Sequence, residues 1–423
     1  MARVTTFRRN SIARIASQGV GRLALFAWMT ILARALQPAG FGVYTYLWTL
    51  IVLLGILSDF GLGFAVTRAV ARDRTVAPRL LALSLQLRFL LGLCAYAILL
   101  TILVAGGIEN IPLVPALVLG LMIFTVSGIN GFNAVLNGRE EIHLSSLMTA
   151  LVPIATLATG VPLLLLQVSL LHAAIPSIVA GLFVLLLQAS LFRRKSLSPA
   201  GGFEPARLRS LAWGAAPLFL MSVLTTLNVS LDTLLLKEMA GEAAVGFYNA
   251  SYKVVLALTM LPLAIGEAAF PIWARALRGK AGGELPLGGV LRLVLLAALP
   301  CALVLFLAAP FGIRLVYGEA YAPAVPVLRI HAFTLVLMFL NAPLGMRLVA
   351  SDRMRAINAV FALVVALNAA ANLILIPRYG IEGAAVATLI SEAVSAALLV
   401  SLVRREQRRG AQPPPSPTPS AAA

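Results

Sequence analysis

VYTYLWTLIVLLGILSDFGLGFAVTR, residues 43–68, decides what kind of chain this is. Residues 43–65 form an apolar run whose one formal charge is Asp59, and Arg68 closes it. A bilayer core takes about 20 such residues as a helix, so the run reads as a membrane span. Eleven more stretches of the same kind lie near 12–34, 80–104, 113–136, 146–166, 170–191, 211–236, 245–270, 288–309, 325–346, 356–376 and 382–403. They predict an all-α polytopic membrane protein of about 12 transmembrane helices.

Composition agrees. Of 423 residues, 60% are hydrophobic and 12% charged, and the mean hydropathy is +0.96; an ordinary soluble domain carries roughly 25% charged residues. No connection is long enough to hold a separate soluble domain.

The net charge of +17 invites a nucleic-acid reading, but its distribution gives another answer. Of 33 Lys and Arg, 24 fall at the N-terminus, in the even-to-odd connections or at the C-terminus, among them Arg68, Arg72, Arg193, Arg194, Arg207, Arg347, Arg404 and Arg405. Four, Arg34, Lys237, Arg314 and Arg378, fall on the other side. The positive-inside rule then places both termini in the cytoplasm, as an even number of spans requires. The basic surplus reads first as a topology signal and second as a contact with the headgroups of membrane lipids. Nucleic acid is not an expected partner.

Arg8-Arg9 and Ala33-Arg34-Ala35 mimic parts of a signal peptide, but the apolar stretch between them is too long for one and contains Arg22, so it reads as a retained first span. Cys94 and Cys301 lie in spans of opposite halves and build neither a metal site nor a disulfide framework.

The basic, Pro- and Gly-containing stretch at 193–209 divides the spans six and six. The expected organisation is an N-terminal six-helix lobe (1–192), a cytoplasmic linker (193–209), a C-terminal six-helix lobe (210–405) and a disordered cytoplasmic tail (406–423) rich in Pro, Ser and Ala. A short echo supports two related halves: Ala39, Gly42 and Tyr44 recur as Ala243, Gly246 and Tyr248, each 204 residues later. Halves of six spans share an orientation and relate by an axis along the membrane normal.

Several motifs are coincidental. Asp59-Phe60-Gly61 lacks the glycine-rich loop, strand lysine and catalytic loop that a kinase needs. Gly19-Val20-Gly21-Arg22-Leu23-Ala24 follows no strand and sits in an apolar helix, where small residues permit close packing. His143, His172 and His331, on separate connections or span ends, have no ligand-like spacing, so neither a metal nor a cofactor is expected.

Charges inside spans cost roughly 2.5–3.5 kcal/mol at the centre and need a reason to persist. Arg14, Gln18 and Arg22 share one ridge of span 1; Arg88 lies in span 3 with Ser84 one turn away; Lys253 in span 8 has Asn249 one turn away; Arg292 enters span 9. One reading is a positively lined aqueous cavity; the other is snorkelling of long side chains to headgroups. Polar ladders run along one face of three spans: Asn130, Asn133 and Asn137; Ser222, Thr225, Asn228 and Asp232; Asn368 and Asn372. Each ladder offers donors and acceptors for a sugar, or bonds that hold neighbouring helices together. Asp59 and Arg68, nine residues apart, lie on opposite faces of a straight helix, so Asp59 is expected to pair with an Arg of a neighbouring helix or to be a protonatable site.

ARALQPAGFGVYTYLWTLIVLLGILSDFGLGFAVTR (33–68), LDTLLLKEMAGEAAVGFYNASYKVVLALTMLPLAIGEAAFP (231–271) and IPRYGIEGAAVATLISE (376–392) resemble the polysaccharide (Wzx-type) flippases of the multidrug/oligosaccharidyl-lipid/polysaccharide exporter superfamily. The resemblance runs from about residue 10 to 403. It implies a MATE-like fold of two lobes around a central cavity and transport, not catalysis: an undecaprenyl-diphosphate-linked oligosaccharide would pass from the cytoplasmic to the outer leaflet of the inner membrane. On that reading Asp59-Phe60-Gly61 is a packing feature. Arg22, Arg88, Lys253 and Arg292, with Gln18, Asn130, Asn133 and Asn228, are the candidate substrate contacts, and Asp59 and Asp232 the candidate coupling sites. Polysaccharide polymerase and ligase machinery would be partners. A lipid II flippase or a multidrug exporter of the same superfamily shares the architecture and stays open as an alternative; a membrane-bound polymerase or ligase would need a larger charged outer loop than residues 310–324 provide.

Overall fold

The computed structural model describes residues 2–105, 111–202, 204–276, 286–351 and 353–410; the side chains of 2–16, 18, 217, 218, 271 and 408–410 lie outside the description. Among the described residues there are helices and no strands: α1 (Ala2–Asp59), α2 (Leu62–Arg72), α3 (Ala77–Ala105), α4 (Leu113–Gly120), α5 (Met122–Gly138), α6 (Ile142–Leu166), α7 (Leu170–Arg194), α8 (Pro205–Leu258), α9 (Met260–Ala276), α10 (Leu287–Tyr317), α11 (Ala324–Ala350) and α12 (Met354–Gly410).

Three of these helices are too long to cross a bilayer once. The apolar part of α1 runs 41 residues, from Gly19 to Asp59, roughly 60 Å against a core of about 30 Å. Each of the three breaks at a residue outside helical conformation: Gln37 (φ 60°) in α1, Gly241 (φ 82°) in α8 and Gly380 (φ 56°) in α12. Nine apolar stretches, three of them double, make twelve segments among the described residues, in register with the hydropathy pattern. The expected connections between spans 1 and 2, 7 and 8, and 11 and 12 are single-residue reversals rather than loops. Gln37 caps its own break, because its side-chain amide donates to the Arg34 carbonyl at 2.8 Å. Pro38 follows, where a missing N–H costs nothing at the start of a new helix.

Gln37 and Gly241 are 204 residues apart, the spacing of the sequence echo, so the repeat includes the backbone break. The two copies meet face to face. A Cβ on Gly42 would overlap the Glu242 carbonyl, and one on Gly246 would overlap that of Pro38. Because 242 − 38 and 246 − 42 are both 204, each contact repeats the other with the halves exchanged, as at a two-fold interface. Lipid tails are as apolar as leucine, so helices in a bilayer associate through such close packing, which only glycine permits here.

This seam lies at the end of the bundle that is poor in basic residues. Tyr321, between α10 and α11, donates from its hydroxyl to the Ala33 carbonyl at 2.9 Å, and Arg34 donates to the last carbonyls of α10, Leu315 and Val316. Helices leave those carbonyls unpaired, and their dipole favours a cation there. The expected 15-residue connection at 310–324 shrinks, since α10 runs to Tyr317 and a 3-10 turn over Glu319–Tyr321 leads into α11.

At the basic end, Phe60 stacks on Phe219 of α8 with ring centroids 4.4 Å apart. Leu62, Leu83, Leu87, Leu208 and Ala215 form an apolar cluster across the same joint. The stretch between α7 and α8 is tied down by Ala200 N–H to the Pro78 carbonyl (3.1 Å) and by Arg79 to Glu204 (2.7 Å). Residues 411–423, most of the expected tail, lie outside the described residues; α12 itself continues to Gly410.

Candidate functional site

Asp59-Phe60-Gly61 shapes the first polar cluster through its backbone. Phe60 (φ 45°) and Gly61 (φ 73°) are both left-handed, ending α1 at Asp59 and starting α2 at Leu62. Span 2 is therefore not a straight helix, and the phase argument separating Asp59 from Arg68 has no footing. Asp59 has its partner on α3: Arg88 Nη1 pairs with Oδ1. The Ser58 hydroxyl donates to the Arg88 carbonyl at 2.9 Å and lies 2.8 Å from Ser127 Oγ on α5, itself 3.4 Å from Arg88 Nη1. Arg88 is 2% exposed, and its Nε and Nη2 have no hydrogen-bond partner among the described residues. Pairing brings a costly cation to local neutrality.

The other side of Asp59, 28% exposed, faces a cavity of about 630 Å³. Its walls come from α1, α5, α6 and α7 with Ser222 of α8, and most are apolar, Trp28, Trp48 and Pro153 included. Arg22 and Asn130 line it, together with Ser17, Ser127 and Thr149. Arg22 makes no ion pair or hydrogen bond among the described residues, which leaves its guanidinium the cavity's uncompensated cation.

The remaining candidates scatter. Gln18 has a helical backbone but its side chain lies outside the described residues. Arg88 is screened from the cavity by Asp59. Asn133 is buried and consumed: its amide donates to Thr149 Oγ1 at 3.0 Å and accepts from Gln188 at 2.9 Å. Asn137 likewise accepts from Ser145 at 2.5 Å. The ladder on α5 is thus part cavity wall, part bonds to α6 and α7. Lys253 is half-buried on α8 with no polar partner among the described residues, and Arg292 is exposed on α10; neither lines the cavity.

A second cluster lies in the other half. Asp232, 2% exposed, accepts from the Tyr248 hydroxyl (2.6 Å), the Thr388 hydroxyl (2.7 Å) and the Asn372 amide (2.6 Å). Asn372 also donates to Asn368 at 3.0 Å. The broken helices α8 and α12 supply all five residues, because each folds back so that both its arms reach one point. Glu392, one turn after Thr388, accepts from Asn341 at 2.6 Å and adjoins Asn228. His331, expected at a span end, is fully buried two turns into α11, against Tyr248 and 3.2 Å from Ser251 Oγ. Sequence reasoning missed Tyr248, Thr388, Asn341 and Glu392 as members. Thr388 and Glu392 carry the same one-turn spacing that marked Asn368 and Asn372. Among the described residues no group of three His, Cys, Asp or Glu could hold a metal.

The two halves match in position but not in charge. The 204-residue offset carries Tyr248 onto Tyr44 and Asp232 onto Trp28. The Tyr44 hydroxyl faces Ser177 and Trp28, without a carboxylate among the described residues.

Comparison with known proteins places this geometry. A model of a family described as polysaccharide biosynthesis protein matches residues 7–277. The chain is 23% identical over 422 residues to a Shigella flexneri protein named as an O-antigen transporter, covering 94% of this chain and 97% of that one. It is 25% identical over 335 residues to the lipopolysaccharide biosynthesis protein WzxC of Escherichia coli (strain K12), covering 76% of this chain and 64% of that one. In structure it resembles an inward-facing multidrug resistance MATE family transporter of the MOP superfamily, with a TM-score of 0.76 at 16% identity over 95% of this chain and 100% of that one. It also resembles the lipid II flippase MurJ in an inward closed conformation, with a TM-score of 0.74 at 14% identity over 93% of this chain and 87% of that one. These likenesses establish a MATE-like fold.

Proposed function

The chain belongs to the polysaccharide biosynthesis protein family, and from that premise we propose that it is a flippase for an oligosaccharide linked to undecaprenyl diphosphate. The proposed path runs from the cytoplasmic to the outer leaflet of the inner membrane, with both termini cytoplasmic. The observation that carries this reading is Arg22: a cation without an acidic partner among the described residues, in a cavity of about 630 Å³ that also offers Asn130 and Ser222.

A diphosphate cannot enter hydrocarbon unaided, so its carrier needs a cation where the headgroup passes. Sugar hydroxyls need uncharged donors and acceptors, which Asn130 provides on a wall that also carries Ser127, Thr149 and Ser222. The polyprenyl tail can stay in lipid between the halves. Alternating access would part the Gly42–Gly246 seam at one stage and the Phe60–Phe219 joint at the other. An inside-negative potential favours outward movement of negative charge by about 2.3 kcal/mol per charge per 100 mV. We assign coupling to Asp232, which is buried among neutral donors, rather than to Asp59, whose charge Arg88 already offsets. The two name-bearing relatives and the architecture support the substrate class.

The test is the leaflet distribution of lipid-linked oligosaccharide in cells, read with a membrane-impermeant glycan label. Deletion should retain the glycan on the cytoplasmic leaflet; the intact gene should restore export, Arg22→Lys in part, and Arg22→Ala not at all. An unchanged distribution on deletion, with no redundant flippase present, removes this substrate class and points to drug export. Full rescue by Arg22→Ala removes the cavity assignment.

A further inference from the structure

A second cavity, of about 510 Å³, opens at the basic end beside the Phe60–Phe219 joint. Its rim carries Arg68 and Arg72 of α2 and Arg207 and Ser210 of α8, and its floor includes Leu83 and Leu211. Arg68 and Arg72 are one turn apart on α2, so two like charges share one face of the helix and repel each other. Neither has an acidic partner among the described residues. The carboxylate of Glu204 pairs with Arg207 at 2.9 Å and is shared with Arg79 at 2.7 Å, so one acid is divided between two arginines while Arg68 and Arg72 go without.

Three cations held over an apolar floor recognise one chemistry, a phosphate attached to an apolar body, through charge-assisted and bidentate hydrogen bonds. The volume falls in the range of small-molecule sites, roughly 300–1,000 Å³, and exceeds what a bare phosphate fills. The rim also joins α2 to α8: Arg68 and Arg72 precede the stretch between α7 and α8 and Arg207 follows it, with the apolar cluster of Leu62, Leu87 and Leu208 beneath. A phosphate held by all three would relieve the Arg68–Arg72 repulsion and brace that joint.

We propose that this groove is a binding site for a phosphate group, supplied by an anionic lipid headgroup or by free phosphate, separate from the Arg22 cavity and independent of what that cavity transports. A headgroup engages both the rim and the apolar floor; free phosphate engages the rim alone.

The experiment uses the full chain, purified and reconstituted in bilayer discs of phosphatidylcholine with or without phosphatidylglycerol, and reads co-purifying lipid by native mass spectrometry. Discs containing phosphatidylglycerol should yield protein with that lipid bound. The triple variant Arg68→Gln/Arg72→Gln/Arg207→Gln should retain at least about tenfold less, and Arg404→Gln/Arg405→Gln, two exposed cations elsewhere at the same end, should retain as much as the unaltered chain. Unchanged elution and melting of the triple variant in phosphatidylcholine alone establish that it folds; should it not, the Arg72→Gln and Arg207→Gln single variants are read in its place. Inorganic phosphate added to the phosphatidylcholine discs separates the sources: a rise in melting temperature lost in the variant, without lipid retention, supports free phosphate as the ligand. Equal retention by the triple variant and the unaltered chain, with no phosphate effect, overturns the site, as does equal loss in the Arg404/Arg405 control, which would reduce it to general surface charge.

Discussion

The first half compensates its intramembrane carboxylate with a cation, and the second half compensates its own with neutral donors. Asp59 faces Arg88 across two helices, a pair that sums to zero. Asp232 accepts three hydrogen bonds within 2.7 Å from Tyr248, Thr388 and Asn372, and no cation pairs with it among the described residues. An ion pair is self-contained, so its removal should register as lost stability. A carboxylate ringed by dipoles leaves its charge to be balanced by a proton or a passing cation, so its removal should register as lost transport.

Breaking the seam that both halves share should have the largest effect. Gly42→Val or Gly246→Val forces backbones apart that meet with no room for a Cβ, and either should cost at least about 3 kcal/mol and abolish monodisperse protein in detergent chromatography. Next comes the ion pair. Arg88→Leu strands Asp59 and should destabilise by about 3–5 kcal/mol, while Asp59→Asn/Arg88→Leu should recover most of that loss in melting temperature; failure of the double variant to recover would mean that Arg88 matters for more than the pair. Asp232→Asn is the contrast: the amide keeps the shape and much of the bonding, so stability should fall by no more than about 1–2 kcal/mol while glycan export falls at least about tenfold. Export at the unaltered rate would make the second cluster structural.

Smaller effects separate glue from cavity wall on α5. Asn133→Ala removes bonds to α6 and α7 and should cost about 0.6–1.7 kcal/mol, whereas Asn130→Ala should leave melting unchanged and lower export. The smallest lies outside the membrane. Partial burial raises the Glu141 pKa, but hydrogen bonds from Lys195 and Arg139 outweigh it and hold the carboxyl below its ordinary value. The folded pKa is the depressed one, so the pair stabilises above the ordinary carboxylate range and the benefit is lost as pH falls through the folded value. Glu141→Gln should therefore cost less than about 1 kcal/mol near neutrality, since solvent screens the pair, and nothing in strong acid.

Much of the fold was legible because a span is a local property. Residues 43–65 announce a crossing without reference to any other part of the chain, and the twelve stretches found that way coincide with the segments of the structure. The breaks were legible only in part: Gly241 and Gly380 are conventional breakers, but Gln37 is not, and its strained backbone is held by its amide on the Arg34 carbonyl and by Pro38 after it. The left-handed Phe60 preceding Gly61 defeated the assumption of a straight span 2 for the same reason.

The site was less legible. Arg22 and Arg88 look alike in sequence, each an arginine several turns into an apolar helix, yet one stands free in a cavity and the other is spent on Asp59. Asn130 and Asn133, three residues apart on α5, divide in the same way. Sequence alone determined that the chain crosses a membrane about twelve times, which end is basic, and that a short motif recurs after 204 residues, because hydropathy and repetition are written residue by residue. Only the tertiary structure decided which polar groups remain available. That depends on how each helix is rotated and on partners as distant as Asp232 and Thr388, 156 positions apart, which no local pattern encodes.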